Sequence, residues 1–230
     1  MTTTDLGRRT LDQRVAASLT GFGFGGIVCI VLILASVLVA VPVAALLVLL
    51  WVWLSYTPLG DVGLKRPKSW FGAIVVGIVV GVGLKLLMKS VVQPYFGAPA
   101  ANAAFQYLHG DLNAFLIEVP QLIVLVGFAE ELVFRGYLIN RIQALLGRSA
   151  GAGVAAVLIT AAIFGPLHYF LQGFYGALQA TILGVLFAGA YLLNGQRLAS
   201  LIVAHAAFDI FAFWIIYAGM EEKFAHLVFP

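Results

Sequence analysis

The chain of 230 residues is 62% hydrophobic and 10% charged, with a net charge of +3. Soluble domains carry about 45–50% apolar and about 25% charged residues, so this composition excludes an ordinary soluble domain and calls for an integral membrane protein. The basic residues are grouped at segment ends, at Arg8, Arg9 and Arg14, at Lys65, Arg66 and Lys68, and at Arg141 and Arg148. That grouping is a topology signal and argues against a nucleic-acid-binding surface.

The first apolar run follows basic residues as a signal peptide would, but it continues over residues 15–56. A signal-peptide core has only about 7–15 apolar residues, so the run is expected to be retained. It is long enough for two spans of about 20 residues each, with Pro42 at the break. Such a hairpin puts the N-terminal arginines and the Lys65–Lys68 cluster on one side, which the positive-inside rule assigns to the cytoplasm. The single Cys29 cannot form an intramolecular disulfide.

A third span is expected over residues 70–92, with Pro94, Gly97 and Pro99 marking the connection after it. Lys85 and Lys89 fall near its outer end, where they are expected to snorkel toward water. Residues 98–113 are less apolar and read as a loop or a surface helix. A fourth helix is expected to start near Pro120, a residue suited to a first turn, and to run to Leu146. Further spans follow over 152–170, 175–193 and 198–217, with Asn194-Gly195 as the last turn. His109, His226 and Glu118 read as solvated or interfacial groups, and Glu221, Glu222 and Lys223 as a solvated tail. The expected architecture is an all-α polytopic transmembrane helix bundle of about seven spanning helices, six to eight. It occupies one domain over residues 15–218, between a cytoplasmic tail at 1–14 and a C-terminal tail at 219–230.

Ionisable groups inside membrane helices mark functional sites or internal pairs, because each is costly to carry into lipid. Here they are Glu130, Glu131, Arg135, His168, His205 and Asp209. Glu130 lies 18 residues before a turn near Arg148 and His168 lies 20 after it. At about 1.5 Å per residue, antiparallel neighbours bring the two within about 3 Å in height. Asp209, 14 residues beyond the Gly195 turn, sits about 6 Å shallower, a gap that tilt can close. Residues four apart share a helix face, so Glu131 can pair with Arg135, His205 with Asp209, and Phe164 can lie beside His168. Adjacent residues point about 100° apart, so Glu130 faces elsewhere and is free for chemistry.

EELVFR at 130–135 resembles the EExxxR motif of the CPBP intramembrane protease family, which includes the type II CAAX prenyl endopeptidases and bacterial proteins linked to bacteriocin processing or self-immunity. FGPLH at 164–168 resembles its FxxxH motif, and HAAFD at 205–209 its HxxxN or HxxxD motif. The three stand in the family's order, over a motif core of residues 115–215. The resemblance implies an intramembrane endopeptidase acting on a membrane-embedded or lipid-anchored substrate. In it Glu130 and His168 activate water, His205 and Asp209 stabilise the oxyanion or hold a partner, and Glu131, Arg135 and Phe164 support the site. Two features depart from the common pattern. Asp209 stands where many members have Asn, and Pro166 frees a backbone carbonyl just before His168.

A Zn²⁺ ion bound there would take Glu130, His168, His205 and Asp209 as N and O ligands. A zincin HExxH helix is absent, and a metal-free glutamate mechanism is the preferred expectation. Membrane lipid and a lipidated or membrane-embedded peptide are the expected partners. The competing functions are a proton- or ion-coupled transporter, which uses the same intramembrane residue types, and a non-catalytic immunity or scaffold protein.

Overall fold

The computed structural model describes residues 11–229, so Arg8 and Arg9 of the expected cytoplasmic tail lie outside the described residues. The described residues form helices joined by turns, with no strand. In chain order they are α1 (Leu11–Thr20), α2 (Phe24–Val37), α3 (Val41–Leu54), α4 (Trp70–Tyr95), α5 (Leu112–Leu146), α6 (Ala150–Leu167), α7 (Tyr169–Leu193), α8 (Ala199–Tyr217) and a short α9 (Glu221–Ala225). Helices α4 to α8 are each long and apolar enough to cross a bilayer. The α1–α2 pair passes the same test together, bent by 60° at its break, and α3 is apolar but only 14 residues long. This agrees with the expected bundle of about seven.

Several local choices are visible in the chain. Pro42 stands in the first turn of α3, where its missing N–H costs nothing. Ser69 and Ser149 cap α4 and α6 by accepting hydrogen bonds from the backbone N–H of Gly72 and Ala152. Helix α7 breaks at Gly173, where φ is 66°, so its regular run begins one residue from the expected start.

Helix α5 corrects one expectation. It starts at Leu112, not near Pro120, because Asp111 caps it by accepting from the Ala114 N–H. Pro120 therefore lies inside the helix, where it withholds a donor and crowds the carbonyl one turn back. The winding opens just beyond it into π-type turns over Leu122–Phe128 and again over Glu131–Leu138. The first glutamate of the motif lies between these two wide segments, at the place where functional helices often carry such turns.

Close helix crossings rely on small residues, as expected where lipid gives no hydrophobic drive to helix pairing. A Cβ on Gly81 would collide with the carbonyl oxygen of Ala204, and one on Gly77 would lie 2.6 Å from Val203, so α4 and α8 meet almost backbone to backbone. Gly165 lies equally close to Thr181 and brings α6 onto α7. At one end, Leu198 N donates to Gly63 O at 3.0 Å and Lys65 Nζ donates to Gly195 O at 3.3 Å. These bonds seat the basic 55–69 connection on the α7–α8 turn.

Candidate active site

Three helices supply the site. Glu130, Glu131 and Arg135 come from the middle of α5, Phe164 and His168 from the end of α6, and His205 and Asp209 from α8. Glu131 and Arg135 are fully buried, with Glu131 Oε1 3.0 Å from Arg135 Nη1, so the pair expected from their spacing is present. Glu131 also has a second task. Its Oε1 accepts from His205 Nδ1 at 2.8 Å, which fixes that imidazole's orientation from a helix 74 residues further along the chain. The other ring nitrogen, Nε2, then faces Glu130 Oε2 at 3.7 Å and Asp209 Oδ2 at 3.4 Å.

Arg135 is held by more than its carboxylate. Its guanidinium carbon lies 4.6 Å from the centre of the Phe164 ring and 5.7 Å from that of Phe187. A guanidinium on aromatic faces is attracted by their quadrupoles, most strongly where water is excluded. Phe164 also contacts the His168 ring, with centroids 4.7 Å apart. Phe164 therefore links the buried ion pair to the second histidine.

His168 closes α6. Its backbone N–H turns to the Gly165 carbonyl at 3.0 Å, and the Phe164 carbonyl is taken by His168 Nδ1 at 3.0 Å. Nδ1 must carry the hydrogen to donate there, which leaves the Nε2 lone pair free to accept a proton. Glu130 and His168 line one cavity of about 910 Å³ with His205 and Asp209, and no ion pair joins Glu130 to His168 directly. The four expected groups thus share a site, with His205 and not His168 as the histidine nearest Glu130.

Among the described residues no group of three or more of the side chains Glu130, His168, His205 and Asp209, or of any other His, Cys, Asp and Glu, is disposed to hold a metal ion.

The same cavity takes in residues that the sequence argument placed elsewhere. Lys85 and Lys89 do not snorkel to the surface: they are 8% and 5% exposed and turn inward. Lys89 pairs with Glu221 at 3.7 Å, and Glu221 also accepts from Asn102 N at 2.8 Å and Gln106 Nε2 at 2.6 Å. Glu221 is therefore buried in a network and not part of a solvated tail, while Glu222 and His226 remain exposed as expected. Glu118 accepts from the Tyr107 hydroxyl at 2.8 Å at the cavity wall. The missed signal was the pair of lysines four apart inside an otherwise apolar helix, together with Gln179 in the middle of α7.

The fold and site define a class: a polytopic helical membrane protein whose bundle encloses a carboxylate–histidine centre. Residues 112–211 match the family model described as type II CAAX prenyl endopeptidase Rce1-like. The match covers the three motifs and less than half of the chain, and it supports the resemblance to the CPBP family. At family level it supports a CAAX-protease-like intramembrane endopeptidase. No curated protein and no solved structure matches the chain.

Proposed function

We propose that the protein hydrolyses a peptide bond in a membrane-embedded or lipid-anchored substrate, using water activated by Glu130 and His168 without a metal ion. The observation that carries this reading is that Glu130 lines a large cavity together with His168, His205 and Asp209, with its Oε2 3.7 Å from His205 Nε2, within a segment that matches a protease family. The Glu130 carboxylate takes a proton from water as the oxygen attacks the scissile carbonyl carbon. The new C–O bond forms, the C–N bond breaks, and the proton passes to the leaving amine. His168, whose Nε2 is the free ring nitrogen, assists that proton traffic from the same cavity.

His205 is suited to the developing oxyanion. Glu131 holds its Nδ1–H, and a proton on Nε2 then points into the space shared by Glu130 and Asp209. Donors set in advance on a developing charge are worth about 3–4 kcal/mol each. Asp209 orients His205 from its own helix, and Glu131 with Arg135 acts as the positioning pair behind both.

The test is cleavage of a fluorogenic prenylated CAAX reporter and of a membrane-protein extract, read by mass spectrometry, with and without chelator. Loss of a general base is expected to lower turnover by about 10²–10⁴-fold in Glu130→Gln and His168→Ala, with chelator without effect. Cleavage retained in Glu130→Gln would overturn the assignment, and loss of wild-type cleavage on chelation would overturn the metal-free mechanism.

A further inference from the structure

The basic residues are divided unequally between the two ends of the bundle. One end collects Arg14 from α1, Lys65, Arg66 and Lys68 from the 55–69 connection, Arg148 from the α5–α6 turn and Arg197 from the α7–α8 turn. Contacts across that end join these segments. Arg141 donates to Thr20 O at 2.7 Å and to Gly21 O at 2.9 Å, which ties the end of α1 to the last turns of α5. Gln196 Nε2 donates to Gln143 Oε1 at 2.7 Å and ties the α7–α8 turn to the same turns of α5. The bonds from Lys65 Nζ to Gly195 O and from Leu198 N to Gly63 O bring the 55–69 connection to that turn.

The opposite end holds the 96–111 connection, the α6–α7 turn and α9. Glu221 joins two of these by accepting from Asn102 N and Gln106 Nε2, and Gly110 N donates to Tyr217 O at 3.0 Å. Among the described residues, Lys223 is the one lysine or arginine in the segments at this end. Lys85 and Lys89 belong to α4 and are buried, and Glu221 holds Lys89. Connecting segments rich in Lys and Arg stay on the cytoplasmic side, a rule to which neighbouring Asp and Glu contribute little. The basic end is thereby assigned to the cytoplasm.

The cavity belongs to the other end. Its wall includes Pro99, Ala101, Ala103, Phe170 and Leu171, all exposed, and takes no residue from 55–69, 147–149 or 194–198. Helix α6 has 18 residues and begins beside Arg148, so it rises about 27 Å before it reaches His168. A hydrocarbon layer is about 30 Å thick, which puts His168 close to the boundary opposite the basic end.

We propose that the cavity holding Glu130 and His168 opens on the extracytoplasmic side of the membrane and receives polypeptide presented from that side. Given the proteolytic reading, on which the substrate half of this inference rests, the substrate is the outward-facing stretch of a membrane-anchored polypeptide and not a cytoplasmic tail.

The first test reads sidedness without reference to activity. In the full chain carrying Cys29→Ser, a single cysteine is introduced by Ala101→Cys at the cavity rim or by Lys68→Cys at the basic end. Spheroplasts expressing each variant are treated with a membrane-impermeant maleimide, before and after permeabilisation. Ala101→Cys is expected to be labelled in intact spheroplasts, and Lys68→Cys to lose all labelling until they are permeabilised. Phe170→Cys takes the place of Ala101→Cys if that variant fails to accumulate. The reverse pattern overturns the proposal, as does labelling of both positions in intact spheroplasts. The second test adds the fluorogenic reporter to sealed right-side-out and inverted membrane vesicles containing the wild type. Right-side-out vesicles are expected to cleave it, and inverted vesicles only after detergent. Cleavage by sealed inverted vesicles alone overturns the substrate assignment. Outward labelling at Ala101→Cys without cleavage in either preparation, detergent included, supports the orientation and overturns the proteolytic reading alone.

Discussion

Replacing Arg135 by Met strips the buried pair of its cation while keeping a long apolar side chain. Glu131, with none of its side chain exposed, then keeps only His205 Nδ1 as a partner, and its second oxygen has no hydrogen-bond partner in the described structure. Breaking a buried ion pair by removing one member costs about 3–5 kcal/mol, because the other charge is left uncompensated. Loss of the guanidinium from the Phe164 face adds about 0.5–2 kcal/mol. The lower bound of about 3 kcal/mol is a change of roughly 10²-fold in the folding equilibrium, at 1.4 kcal/mol per decade. Removing both charges in Glu131→Leu/Arg135→Met should recover most of that loss, since an apolar replacement for a buried pair is often neutral. His205 would still lose its orienting acceptor, so the double variant is expected to fold without activity. The assay is reversible unfolding in mixed micelles, run as a double-mutant cycle beside reporter cleavage. A loss below about 1 kcal/mol in Arg135→Met, or strictly additive single variants, would refute the account of the pair as one coupled unit.

Three further outcomes follow from the packing. Gly81→Ala should destabilise by about 1–3 kcal/mol, because the added Cβ meets the Ala204 backbone; Gly83→Ala, where nothing lies within 4 Å, should not, and micellar unfolding of both checks it. Glu221→Ala should free Asn102 N, Gln106 and Lys89 together, and a rise of about tenfold or more in amide exchange over residues 98–107 is the measurement that checks it. Phe164→Leu keeps bulk but removes the ring between Arg135 and His168, so kcat should fall more than unfolding stability, by about 10-fold against less than about 1.5 kcal/mol.

Much of the site could be read from spacing alone. The i,i+4 rule paired Glu131 with Arg135 and His205 with Asp209, and both pairs are in contact. Depth counting placed His168 level with Glu130, and both reach one cavity. The link from Glu131 to His205 was not legible, because it joins residues 74 apart and depends on how α5 and α8 are rotated. The start of α5 was misread at Pro120 because proline favours first turns; the better signal was Asp111, an N-cap residue ahead of an apolar run. Lys85 and Lys89 were placed outward by hydropathy, which cannot see that Glu221 returns from the far end of the chain to meet one of them.

Helix α3 has a consequence for the lipid around the protein. Its 14 residues rise about 21 Å, which falls about 9 Å short of a hydrocarbon layer of roughly 30 Å. The α2–α3 turn supports its own backbone there, with the N–H groups of Val39 and Ala40 both donating to Ser36 O, and presents Leu38 and Val39 outward. Leu38 and Val41 also form part of the cavity wall. The bilayer beside that wall must thin or the turn must sit below the headgroups, at a cost of a fraction of a kcal/mol per Å of mismatch. Membrane thickness thus becomes a variable of this protein's energetics, greatest on the side where α2 and α3 border the cavity.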